Sequence, residues 1–304
     1  MKLFLACFFA FLSLPAVSQN ESTLCTRLGY PATTKLLIVH ADDLGVSHSE
    51  NDASIKSLDN LVNSASIMVP CPWFQEIAFF ARQHKEKDFG LHLTLTSEWK
   101  FYKWGPVTSI SSVPSLVNKN GYFYSSVDSM ARFANLKEVE IELRNQIKKA
   151  LQNGIDVTHL DAHMYAARNN KELLKIYVNL GREFRVPVLL TRDEKVLDSV
   201  ELNSRDVVVD YLYQADQVSY DGGLSKYYTN AIKQLKPGLS CLLVHTAYDD
   251  RETRAMTNGF VYWGSLWRQQ DFDFFTSANA KELIRDENIK LITWREIRDK
   301  ITRK

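Results

Sequence analysis

Short, unbroken apolar runs alternate along this chain with stretches whose apolar residues recur every three or four positions, and that alternation limits the folds open to it. LLIV at 36–39 and CLLV at 241–244 have no polar interruption, as strands of a parallel sheet covered on both faces require. Strand-like runs fall at 35–41, 65–69, 90–96, 155–160, 188–191, 207–212, 239–245 and 290–293. Between them, NLKEVEIELRNQIKKALQNG carries an apolar stripe of Leu136, Val139, Leu143, Ile147 and Leu151, with Glu140 and Arg144 paired four apart and Gly154 as a stop. KELLKIYVNLGREF repeats the pattern with Leu173, Tyr177, Leu180 and Phe184. Such repetition implies right-handed βαβ units around a parallel sheet. About eight strands and about seven helices suit a closed or nearly closed barrel better than an open sheet.

The chain has 304 residues, and no repeat, low-complexity tract or linker divides 19–304, which is read as one barrel domain. Residues 1–18 read as a signal peptide: Lys2, an apolar core from Leu3 to Leu14, and a small-residue site at Ala16-Val17-Ser18. That core is too short for the roughly 20 residues of a membrane span, so the expectation is export, periplasmic or extracellular, with no membrane association after cleavage. The leader carries one Lys and no acid, so cleavage leaves basic and acidic residues equal in number at 36 each. Nucleic-acid binding normally shows a basic excess or stripe, and neither is present. Cys25, Cys71 and Cys241 remain, matching no zinc spacing; they are read as packing residues or at most one bridge.

In parallel barrels, chemistry gathers at the carboxyl ends of the strands. Here the first strand runs into HADDLG, with His40, Asp42 and Asp43. The third carries GLHL with His92, and the fourth ends THLDAH with His159, Asp161 and His163. Arg192 ends the fifth and His245 the seventh. Imidazole and carboxylate are the ligands that zinc and similar divalent ions take, with one position left open for water. Asp43, His92 and His163 could form that set, while Asp42, one residue away, stays free to take a proton from water. An Asp-Asp pair after a strand often only caps a helix, but the helical pattern resumes near Ser49, too far on for Asp42 to cap it. His40 and His159 are read as structural.

LLIVHADDLGVSHSENDASIKSL resembles the opening motif of the YdjC-like carbohydrate deacetylases, the family that includes chito-oligosaccharide deacetylase: an apolar strand, an Asp-Asp pair, Gly, and a following Asn, here Asn51. FGLHLTLT is similar to the family's Gly-x-His-x-x-Leu motif and THLDAH to its Thr-His-x-Asp-x-His motif, and the likeness covers most of 35–295. It implies an α/β fold, a deformed (β/α) barrel of about seven to eight parallel strands of the glycoside hydrolase/deacetylase type, that hydrolyses N-acetyl groups from sugars. By that resemblance Asp43, His92 and His163 hold one divalent ion, Zn²⁺ or Mg²⁺. Asp42 is then the base, although the two aspartates could exchange roles. His245 matches a late histidine that protonates the departing amine or steadies the transition state. Arg192 stands where the family has an arginine, and with Asp161 and Trp99 it is a substrate-binding candidate. Three departures bear on substrate choice: HMYA after the third ligand, HTAYDD in place of His-Pro-Gly, and His40 where Asn is common.

Two long aromatic segments, about 97–128 and 248–267, interrupt the alternation. Loops of this length are functional or disordered, and aromatic richness argues against disorder. Trp99, Phe101, Tyr102 and Trp104 suit either a platform for pyranose rings or a satellite core, as do Tyr262, Trp263 and Trp267. The expected partner is an N-acetylated carbohydrate. Two other readings stand beside this one: a metal-independent glycosidase using Asp42 and Asp161, and a catalytically inactive carbohydrate-binding barrel.

Overall fold

The computed structural model describes residues 23–304; the leader expected at 1–18 lies outside the described residues. Seven strands follow in order: β1 Lys35–Leu44, β2 Ser64–Ile67, β3 Phe89–Leu93, β4 Leu160–Ala162, β5 Tyr211–Gln214, β6 Gly238–Val244 and β7 Lys290–Leu291. Every pairing is parallel, in the order β4-β3-β2-β1-β6-β5. β7 pairs with the start of β1 at Leu36 and Leu37, below the stretch where β2 takes the same edge. Single bridges from Leu160 to Val188 and from Thr191 to Val209 link the two ends of the sheet. The result is the nearly closed α/β barrel that the alternation predicts, deformed as the family resemblance implies.

The deformation lies on the side of those bridges. The run expected as a strand at 188–191 makes only isolated bridges, and those expected at 155–160 and 207–212 become strands only at Leu160–Ala162 and Tyr211–Gln214. Side chains enter the ladder here: Asp210 accepts the Leu239 N–H on Oδ2 at 2.9 Å while its own N–H bonds Leu239 O. Polar side chains that bond nearby backbone compete with regular pairing, which apolar patterning does not register.

Helices surround the sheet. His48–Leu58 is capped by Ser47, whose side chain accepts from Glu50 N, so the cap is Ser47 and neither aspartate. In the helix Leu136–Gln152 the stripe holds at Val139, Leu143 and Ile147, while Leu136 and Leu151 at its ends are exposed. Glu142 and Gln146 are buried in the same face. Glu142 accepts from Val107 N and Thr108 N, and Gln146 bonds both N and O of Thr94. Two polar residues on an otherwise apolar stripe thus tie the long loop after β3 to the barrel. Trp99, Trp104, Leu116 and Phe123 of that loop are buried in the same apolar core as Leu37 and Val39 of β1 rather than in a satellite of their own. The second interruption is shorter than expected, because Arg251–Met256 and Ser265–Thr276 are helical.

Inside the barrel, Leu36 and Ile38 of β1 join Leu239, Cys241, Val209 and Trp294 in a separate apolar cluster. The three cysteines among the described residues are free and buried, so they pack rather than bridge. No helix among the described residues is long and apolar enough to cross a membrane.

Candidate metal centre and its cavity

Successive residues of a regular strand face opposite ways, so two adjacent aspartates would be split between the barrel and the outer layer. β1 avoids this. Its register with β2 shifts between Ala41 and Leu44, and Asp43 takes a positive φ of 70°, a conformation that Asp tolerates better than most residues. The chain beyond is held by Asn51, whose Oδ1 accepts from Gly45 N at 2.6 Å. Both carboxylates therefore line one cavity of about 680 Å³, together with His92, Asp161, His163 and His245.

Asp43, His92 and His163 present one ligand atom each within 4.8 Å of one another, all buried. Asp43 Oδ1 lies 3.5 Å from His92 Nε2 and 3.3 Å from His163 Nδ1 yet makes no hydrogen bond. Each imidazole is backed by a carboxylate on its far nitrogen: His92 Nδ1 by Asp161 Oδ2 at 2.8 Å, His163 Nε2 by Glu98 Oε2 at 3.0 Å. A carboxylate behind a histidine is the usual way of orienting a metal ligand. An unpartnered buried oxygen between two such imidazoles fits a divalent cation.

The charges fit as well. Burial disfavours charge on His163, but the Glu98 and Asp43 carboxylates outweigh it and raise its pKa to about 10. Asp43 is held well below the usual carboxylate range: burial would raise it, but the Arg268 guanidinium and His163 prevail. Asp42 is pushed well above that range by burial and by the adjacent Asp161 and Asp43. His245 Nε2 stands 3.9 Å from Asp42 Oδ2 and 4.0 Å from Asp43 Oδ2. Burial carries its pKa down to about 3, so the ring is neutral at rest.

Among the other candidates, Asp161 lines the cavity but is turned to His92. Its charge helps to raise Asp42, so the two aspartates crowd one wall of the cavity; a glycosidase pair must instead flank a bond from separate positions. Arg192 does not join the site expected for it. Its side chain is 67% exposed, pairs with Asp210 at 2.7 Å and does not line the cavity, because the chain turns at Thr191 before the strand end reaches the site. The cation at the site is Arg268 from the helix Ser265–Thr276, bonded at 2.8 Å to both Asp43 Oδ2 and Glu50 Oε2. Arg268 follows no strand end, and Glu98, two residues beyond the run 90–96, begins the aromatic loop, so taking only the residues that end each run passes both over. Trp99 is buried and lines the cavity beneath Arg268, 5.4 Å from its guanidinium, with Trp104 edge-on; it belongs to core and wall at once. Trp263 also lines the cavity, stacked on buried Trp267 at 5.0 Å. After His163, Met164 and Tyr165 take positive φ of 51° and 55° and reach the cavity, Tyr165 bonding Gln214.

Fold and site together define an α/β barrel with a carboxylate–imidazole centre set in its mouth. The chain belongs to the YdjC-like protein family, whose family model matches residues 36–286. It is 27% identical over 262 residues to a carbohydrate deacetylase of Thermoanaerobacter pseudethanolicus, covering 86% of this chain and 98% of that one. With a carbohydrate deacetylase of Thermus thermophilus it shares 28% identity over 292 residues, 91% of this chain and 98% of the relative. A crystal structure of an Enterococcus faecalis protein described as a cellobiose-phosphate cleavage protein superposes with a TM-score of 0.74 at 25% identity, covering 87% of this chain and 99% of that one.

Proposed function

We propose that this protein is an exported, metal-dependent hydrolase that removes N-acetyl groups from an amino sugar or oligosaccharide. The observation that carries the reading is the convergence of Asp43, His92 and His163 around one unpartnered carboxylate oxygen, with Asp42 alongside in an open cavity. The family membership and the names of the relatives support it. A divalent ion held by those three residues supplies Lewis acidity toward an amide carbonyl and makes water more acidic. Asp42, raised by its buried surroundings, takes the proton of the attacking water. His245, neutral at rest with Nε2 3.9 Å from Asp42 Oδ2, receives that proton from Asp42 and passes it to the departing nitrogen. Arg268 fixes Asp43 through Oδ2 and leaves Oδ1 toward the imidazoles. The products are acetate and a free amine. The leader-like residues 1–18 support export.

Acetate release from N-acetylated sugars tests the proposal. Dialysis against chelator abolishes activity and a divalent ion restores it; full activity in metal-free protein defeats the reading. His92→Ala loses the metal by elemental analysis. Asp42→Asn keeps the metal and loses about 10²–10⁴-fold in turnover, the range for a general base.

A further inference from the structure

Leu36, Ile38, His40 and Asp42 alternate along β1 and share one side of the sheet. The first two lie in the apolar floor of the barrel, and Asp42 lines the cavity. His40 is the layer between them and is wholly buried. Trp294 Nε1 donates to His40 Nδ1 at 3.2 Å, and His159 stands edge-on to the ring at 4.8 Å. An indole N–H only donates, so Nδ1 of His40 is the accepting nitrogen. Burial lowers the pKa of this histidine against the pull of Asp161 and Asp88, and a neutral imidazole carries a single proton. That proton is therefore on Nε2.

His40 Nε2 has no hydrogen bond of proper angle in this structure, and two carboxylates face it: Asp42 Oδ1 at 3.2 Å and Asp161 Oδ2 at 3.8 Å. Ser66 Oγ donates to the same Asp42 Oδ1 at 3.3 Å. Oδ2 of Asp42 is the oxygen that looks toward His245. The aspartate thus has one oxygen turned to the floor and one to the reaction chamber.

We propose that Trp294 and His40 act in series as positioning residues for Asp42: the indole sets the imidazole tautomer, and His40 Nε2–H anchors Oδ1 so that Oδ2 is the basic oxygen. This deepens the deacetylase reading and rests on Asp42 being its base. Nothing in it requires His40 to touch substrate or metal, which separates it from the ligand set above.

Three variants of the full chain, loaded with Zn²⁺, test it: His40→Leu removes the donor, His40→Asn keeps a side-chain N–H, and Trp294→Phe removes only the indole donor from the ring stack. His40→Leu is expected to lower kcat about 10–100-fold, the range for lost outer-shell partners, with KM, bound metal and Tm close to wild type. His40→Asn should recover most of that loss. Unchanged kcat in His40→Leu overturns the proposal, and so does a loss that His40→Asn does not relieve. A readout independent of activity comes from ¹⁵N-histidine NMR. Wild type should show His40 protonated on Nε2, and Trp294→Phe should mix the tautomers. An Nδ1–H tautomer in wild type overturns the proposal whatever the activity. An Nε2–H tautomer in a protein that releases no acetate from any N-acetylated sugar sinks the deacetylase reading while leaving the indole–imidazole pair in place.

Discussion

Arg268 is the residue on which the electrostatics of the site turn. It is 2% exposed and bridges Asp43 to Glu50, which burial raises to about 8 even against the guanidinium. Removing one partner from a buried charged set leaves the others uncompensated and typically costs about 3–5 kcal/mol. Arg268→Met is therefore expected to lose stability on that order in urea unfolding. Adding Glu50→Leu should recover part of the loss, since a buried carboxyl without a partner is then gone. If Arg268→Met unfolds at the wild-type urea concentration, the guanidinium is not what steadies the aspartate. Asp43 itself combines two demands: a backbone conformation unusual outside glycine and a side chain that faces two imidazoles. Only a short polar residue meets both at low cost.

At the scale of elements, the site depends on how β1 and β3 approach the chain before β4. Gly90 of β3 lies opposite His159, and a Cβ built there would fall 2.3 Å from the imidazole. The missing side chain makes room for His159, which stacks on Trp294 at 5.3 Å and so supports the ring layer beneath Asp42. Gly90→Ala should destabilise by about 1–3 kcal/mol, the usual cost of overpacking a core. The double variant Gly90→Ala/His159→Ala should lose less than the two single changes added together, a non-additivity that thermal unfolding of the four proteins measures. The helix Leu136–Gln152 works in the other direction, outward. Glu142→Leu leaves Val107 N and Thr108 N without their acceptor. It is expected to raise amide exchange in residues near 107–108 while the exchange of β1 and β6 stays unchanged.

For the molecule as a whole, the barrel brings Asp43, His92 and His163 together from three strand ends far apart in sequence, so under the proposed function an ion held there would tie β1, β3 and β4 together. A ligand that binds the native state at 100 times its Kd adds about 2.7 kcal/mol, a rise in Tm on the order of 5 °C for a chain of this size. Chelation should remove that increment in wild type and leave His92→Ala unaffected; a chelator-insensitive Tm in wild type would contradict the three-ligand site. The apolar runs carry the position and parallel direction of most strands, and His92, His163 and the Asp pair are legible as strand-end residues. The irregular side of the barrel is not, because Asp210 and single bridges replace the ladder there. Arg192 follows a strand-like run and stands where the resembling family has an arginine, but that run closes in a turn and the side chain leaves toward Asp210.

What the sequence determined by itself was local and periodic: where apolar residues recur at strand or helix spacing, which polar residues end those runs, and which residue types can hold a cation. Tertiary structure alone decided which of those polar residues meet. Glu98 reaches His163 from a loop 65 residues earlier, and Arg268 reaches Asp43 from a helix 225 residues later. No periodicity encodes such a pairing, since it depends on how the sheet curls and on which helix packs over its mouth. The physical reason is that burial, which sets the strength of every charge in this site, exists only once the barrel has closed.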